Sequence, residues 1–152
     1  MRYLVQKGCR FIIALPGHMK LCTELIDKYR MEIVNQAECY LGKGMPYGKA
    51  YDITESDYRM RVHLYYDPYK AVAESERLYE EIERQEKELA QMETPPDRKL
   101  HYDRYFYINR TKNGGLGYRR NIEAINKALS RCGFFLFWVI DFKKTTAQIL
   151  EI

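Results

Sequence analysis

The chain lacks the cysteine spacing of a metal or redox site. Cys9, Cys22, Cys39 and Cys132 stand far apart, with no CxxC pair and no histidine at ligand spacing to any of them. Neither a GxGxxG fingerprint nor a glycine-rich loop ending in Lys-Ser/Thr is present, which removes the common nucleotide-binding signatures. Met1-Arg2-Tyr3-Leu4-Val5 runs straight into Gln6-Lys7-Gly8, so no secretory h-region is read there. The longest apolar run, Phe134 to Ile140, is too short to span a bilayer. These absences and the scattered thiols lead to the expectation of a cytoplasmic protein in a reducing compartment. They also predict no membrane and no small-molecule partner.

The 152 residues suit a single domain with a hydrophobic core, and 46% apolar with 30% charged residues is ordinary for a globular chain. Tyrosine is abundant, at 14 residues, and its apolar body with a polar tip suits half-exposed sheet faces. A net charge of +4 permits contact with a phosphate backbone without demanding it.

Hydrophobic periodicity gives the elements. Phe11-Ile12-Ile13-Ala14-Leu15, closed by Pro16-Gly17, reads as a strand buried on both faces. Leu21, Cys22, Leu25, Ile26, Tyr29 and Ile33 recur at helical steps between His18 and about Val34. Gly42, Gly44, Pro46 and Gly48 make a loop. Met60, Val62 and Leu64 then alternate with Arg59, Arg61 and His63, which predicts a strand with one apolar and one basic face, ended by Asp67-Pro68. Ala71 to Met92 has no glycine or proline and predicts a long helix, with Glu80–Arg84 and Glu83–Lys87 as supporting pairs and Thr94-Pro95-Pro96 as its stop.

Tyr102 to Ile108 alternates as another strand, and Asn113-Gly114-Gly115-Leu116-Gly117 follows as a loop leading to a helix marked by Ile122, Ile125, Leu129 and Cys132. Phe134 to Ile140 is a second fully apolar strand. Thr145 and Gln148 are spaced as a capping box for a closing helix. A helix of that length needs packing to persist.

Two apolar strands thus bracket everything between them. In this arrangement the chain resembles the DDE transposases of the insertion-sequence-four group. The residues that carry the likeness are Gly8 to Pro16, Cys132 to Leu136 and Asp141 to Ile152, with Tyr65-Tyr66-Asp67 and its charged helix similar to the family's insertion. The resemblance implies a mixed α/β (α+β) fold, with 1–16 and 132–152 as parts of a ribonuclease-H-like sheet and 17–131 as an insertion. It implies a parent that cuts and joins DNA with Mg2+ held by two Asp and one Glu, the metals clamping the attacking and leaving oxygens. It places the second Asp before position 1 and the Glu signature after Ile152. The chain departs from the family pattern at Trp138-Val139-Ile140 and at Lys143-Lys144.

The expected product is therefore a fragment, inactive alone, that contacts DNA and self-associates through uncovered apolar strands. A free-standing interaction or nucleic-acid-binding module is the alternative. Asp141 and Glu151 read as a turn residue and a solvated helix residue, and His18, His63 and His101 receive no role. The candidate DNA contacts are Arg59 and Arg61 on a strand face continued by His63 and Tyr65, and Arg119 and Arg120 at a helix start behind the glycine loop. An ordinary solvated face and a plain connecting loop are the competing readings of the two.

Overall fold

The computed structural model describes residues 12–55, 58–96, 101–140 and 144–151. The fold is mixed α+β with two open antiparallel sheets. It divides into two compact units, the described parts of Met1–Ala71 with Gly133–Ile152, and Val72–Cys132.

The first unit is built on a four-stranded sheet in the order β1 (Ile12–Leu15), β6 (Phe134–Val139), β3 (Tyr58–Tyr66), β2 (Tyr47–Glu55). Every neighbouring pair is antiparallel, with Leu64 opposite Leu136 and Leu15 opposite Leu136 on its other side. Helix α1 (Lys20–Tyr29) lies on one face through Cys22, Leu25 and Ile26, which pack with Met60, Val62, Leu64, Leu136 and Trp138. The helix gives way to a 3-10 turn at Arg30–Glu32, short of the expected Val34.

The expected apolar alternation of β3 is present, but its basic face is not solvated throughout. His63 and Tyr65 are both fully buried. They are covered by the short helix α4 (Thr146–Leu150): His63 Nδ1 lies 3.1 Å from Thr146 Oγ1, and the Tyr65 hydroxyl donates to the Thr146 carbonyl at 2.6 Å. A residue alternation reports two faces but not what covers each, and here the polar face of an antiparallel strand is covered by a helix instead of water. Helix α4 carries the expected capping box, with the Gln148 amide nitrogen donating to Thr145 Oγ1 and the Gln148 side chain accepting from the Thr145 N–H. Ile149 gives it the buried anchor that so short a helix needs.

β1 differs from expectation. It sits at the sheet edge, with Leu15 buried, Ile12 and Ile13 half-buried and Ala14 exposed. An edge strand has a neighbour on one side only, so an unbroken apolar run there is not enclosed. Phe11 and Gly8 to Arg10 lie outside the described residues. β3, expected within 17–131, pairs into the same sheet as β1 and β6, and β2, not expected as a strand, pairs with β3 there; the compact division falls after Ala71.

The second unit contains most of α2 (Pro68–Ala90), the hairpin β4 (Phe106–Arg110) and β5 (Leu116–Arg120), and α3 (Ile122–Leu129). Asp67 opens α2 by accepting from the Tyr69 and Lys70 amides at 2.9 and 3.3 Å, with Pro68 at the first helical position. Ile82 and Leu89 pack with Tyr105, Phe106 and Ile125 as a separate core. Arg84 turns to Glu81, at 3.1 Å from Nε, and to Glu88, rather than to Glu80. Asn121 caps α3 by accepting from the Ala124 amide at 3.1 Å, and Ile122, expected on the apolar face, is 58% exposed. No helix among the described residues is long and apolar enough to cross a membrane.

Gly133 and His63 each carry a testable consequence of this packing. Gly133 has φ +83°, and a Cβ there would stand 2.7 Å from the Asp67 carbonyl oxygen and 2.6 Å from Ala71 Cβ. The Asp67 amide also donates to the Gly133 carbonyl at 2.9 Å. Gly133→Ala is expected to lower stability by about 1–3 kcal/mol in urea unfolding, from backbone strain and crowding. A change within error would mean that this junction yields freely.

For His63, burial pushes the imidazole down, to about 4, helped by the Arg61 charge and opposed by Asp52. Its Nε2 has no partner among the described residues. The unfolded chain binds this proton near pH 6.5 and the folded chain only near 4. Stability is then full above 6.5 and falls by about 3 kcal/mol as pH drops to 4. His63→Leu should flatten the decline in urea midpoint between pH 7 and 5. An undiminished decline in the variant would assign it to other groups.

Candidate nucleic-acid interface

Of the four candidate arginines, Arg59 and Arg61 lie in the first unit and Arg119 and Arg120 in the second. Arg59 and Arg61 occupy β3, opposite Thr54 and Asp52 of β2. Asp52 receives both. Arg61 donates from Nε at 2.7 Å and from a terminal nitrogen at 3.1 Å, and Arg59 reaches it at 3.5 Å. Hydrogen bonding from Arg61, with the charges of Arg61 and Arg59, holds the Asp52 carboxyl below its ordinary range. This forked geometry uses up the guanidinium edge that would otherwise grip a phosphate. Arg59 is three-quarters exposed and held by one long contact. With His63 and Tyr65 buried, the described part of the strand offers Arg59 alone as an open cation on that face.

Arg119 and Arg120 lie on strand β5, not at a helix start. The glycine segment is the turn of a hairpin: Gly114 N–H donates to the Thr111 carbonyl at 2.9 Å, and Thr111 N–H to the Gly115 carbonyl at 2.8 Å. Gly114 sits at φ +79°, the left-handed position that such a turn places after its third residue. Reading the glycines as a helix approach overlooked that Tyr118 to Arg120 still alternates.

Alternation sends the two arginines to opposite faces. The inner face, with Phe106, Ile108, Leu116 and Tyr118, joins the second core. Arg120 shares it, opposite Phe106, and reaches Glu86 of α2 with contacts of 3.2 and 2.5 Å. The outer face carries Tyr107, Asn109, Gly117 and Arg119. Arg119 lies directly across from Tyr107 and rests its guanidinium 4.3 Å from the ring centroid. Both are exposed. Asn109 faces Gly117, whose missing side chain makes room for it, since a Cβ there would stand 2.5 Å from Asn109 Oδ1. A shallow concavity of about 450 Å³ is lined by these four residues with Ile108 and Tyr118.

The hairpin is also charged in one sense. Phe106 to Arg120 includes Arg110, Lys112, Arg119 and Arg120 and not one Asp or Glu. Arg120 alone among these is in an ion pair among the described residues; Arg110, Lys112 and Arg119 are all exposed. The acid-free stretch was legible in the sequence, and it singles out Tyr107 and Asn109, which periodicity had treated only as strand positions.

Among the described residues no three His, Cys, Asp or Glu side chains converge as a metal site requires. Glu151 is an exposed residue at the end of α4. Asp141 lies outside the described residues.

The ion pairs generate a prediction about stability. Arg120→Ala should lower the stability of the second unit by about 1 kcal/mol or less, because the pair is part-exposed. The loss should shrink in high salt. A loss of several kcal/mol would show that Arg120 contributes by packing its stem rather than by charge.

Compared with protein-family models, with curated proteins and with solved structures, the chain finds no match.

Proposed function

We propose that this chain is a non-catalytic, DNA-contacting portion of a transposase of the kind it resembles. Strand cleavage and transfer in the parent would fall to the Asp/Asp/Glu set and its Mg2+, which the resemblance places outside positions 1–152. The observation that carries DNA contact is the acid-free hairpin, which presents Arg110, Lys112 and Arg119 without carboxylate partners among the described residues. Cations on an exposed β-ribbon displace the counterions of a phosphate backbone, which gives affinity that falls steeply with salt. Arg59 adds at most one further contact, while Arg61 and Arg120 serve Asp52 and Glu86.

A non-enzymatic interaction module is the second reading. It is favoured by the separate core of Val72–Cys132, with Ile82, Leu89, Phe106 and Ile125 at its centre.

The test is binding of a fluorescent duplex at several salt concentrations. The wild-type chain should bind weakly, with a steep negative slope of log affinity against log salt. Arg110→Ala with Lys112→Ala should make that slope shallower by about 0.9 for each phosphate that is no longer neutralised. Arg61→Ala should leave it nearly unchanged. No binding at low salt, or a slope insensitive to Arg110 and Lys112, would remove the DNA reading. The chain should nick no DNA in magnesium or manganese, and specific nicking abolished by Asp141→Ala would contradict the absence of a catalytic set.

A further inference from the structure

We infer that the β4–β5 hairpin enters the DNA major groove and reads base edges with Asn109 and Arg119, an inference that rests on the DNA-contacting role proposed above. The outer face has the composition for this. Its four positions are an aromatic ring, an amide, a glycine and a guanidinium, with no carboxylate to repel a phosphate-lined groove. B-form DNA has a major groove about 12 Å wide, which admits a two-stranded ribbon. The deep, narrow major groove of A-form RNA does not. Duplex DNA is thus the occupant that fits both the shape and the charge.

The chemistry divides along the ribbon. An amide can donate to and accept from adenine at once, and a guanidinium can donate two hydrogen bonds to guanine N7 and O6. Asn109 and Arg119 are the outer-face side chains with those capacities. They stand at adjacent register positions, Asn109 opposite Gly117 and Arg119 opposite Tyr107. Tyr107 holds the guanidinium over its ring at 4.3 Å, which limits its freedom before DNA arrives. Gly117 leaves the space in which the Asn109 amide lies across the ribbon, so the amide is presented on the outer face with no side chain beneath it. At the turn, Lys112 is exposed and placed to ride on phosphates, which position the ribbon without reading sequence. The inner face cannot compete for this role, because Phe106, Ile108, Leu116 and Tyr118 form the core and, of its two arginines, Arg120 is on Glu86, which leaves Arg110, opposite Leu116 beside the turn, to meet a phosphate rather than a base.

The experiment is selection from a pool of duplexes randomised over about a dozen base pairs, using the whole chain, followed by affinities for the selected and a scrambled duplex. The wild-type chain should return a preferred sequence containing adenine or guanine at fixed positions. Asn109→Ala and Arg119→Gln should each lose about tenfold of the discrimination between the two duplexes. Lys112→Ala should weaken both duplexes equally. Replacing the purines of the selected site by 7-deazapurines removes the N7 acceptor without altering the protein. That should weaken wild-type binding about tenfold, weaken each single variant less, and leave the double variant Asn109→Ala with Arg119→Gln unchanged. Salt-dependent binding with no preferred sequence would overturn base reading and leave the DNA-contacting role standing. So would a preference kept by both variants, or equal affinity for a duplex RNA of the same sequence. No binding to any duplex would overturn both.

Discussion

The first unit depends on β6 finding partners on both edges. Phe134 to Val139 is apolar at every position, and a strand of that kind needs its backbone groups paired and its side chains covered. β1 and β3 supply the pairing, α1 covers Phe134, Leu136 and Trp138, and Tyr65 stacks with Phe135 at 5.1 Å on the opposite face. β6 reaches that slot only after the chain has completed the second unit. The return is fixed where the Asp67 amide meets the Gly133 carbonyl, at a position that excludes a side chain. Chain entry into the second unit and exit from it are thereby tied at one point, while that unit keeps a core of its own.

Charge is sorted within the second unit in a way that sets what its surface can do. Helix α2 contains seven glutamates against four basic residues, and the hairpin contains only basic ones. Glu86 takes Arg120 on the inner face, and Glu88 takes the Tyr102 hydroxyl at 2.7 Å. The outer face is left with Arg119 on a tyrosine ring. In the first unit the same residue type ends differently, because Asp52 stands across the strands from Arg61 and consumes it. Four arginines that look equivalent along the chain thus differ by what lies opposite each one.

That difference explains how much was legible beforehand. Periodicity located α1, β3, α2, β6 and the capping box of α4, because each depends on side chains close in sequence. It passed over β2, where Lys49 interrupts the apolar alternation of Tyr47, Tyr51 and Ile53. That strand is defined by its pairing with β3, which is a contact across the sheet. Burial of His63 and Tyr65 was invisible for the same reason, since α4 covers them from more than eighty residues away. The glycines of the β4–β5 turn were misread as a helix approach, because turn type is fixed by φ and by the Thr111–Gly115 pairing rather than by composition. The acid-free run from Phe106 to Arg120 needed no structure, yet only the strand alternation shows that Arg119 faces outward and Arg120 inward.

The most direct measurement is nuclear magnetic resonance of the isotope-labelled chain titrated with a short DNA duplex at low salt. Shift changes should concentrate on Tyr107, Asn109, Gly117 and Arg119 and on the turn at Lys112, with the Arg61 and Arg120 side-chain signals little moved. Changes centred on β3 around Arg59 and Arg61, or none on the hairpin, would contradict a DNA-contacting role for its outer face.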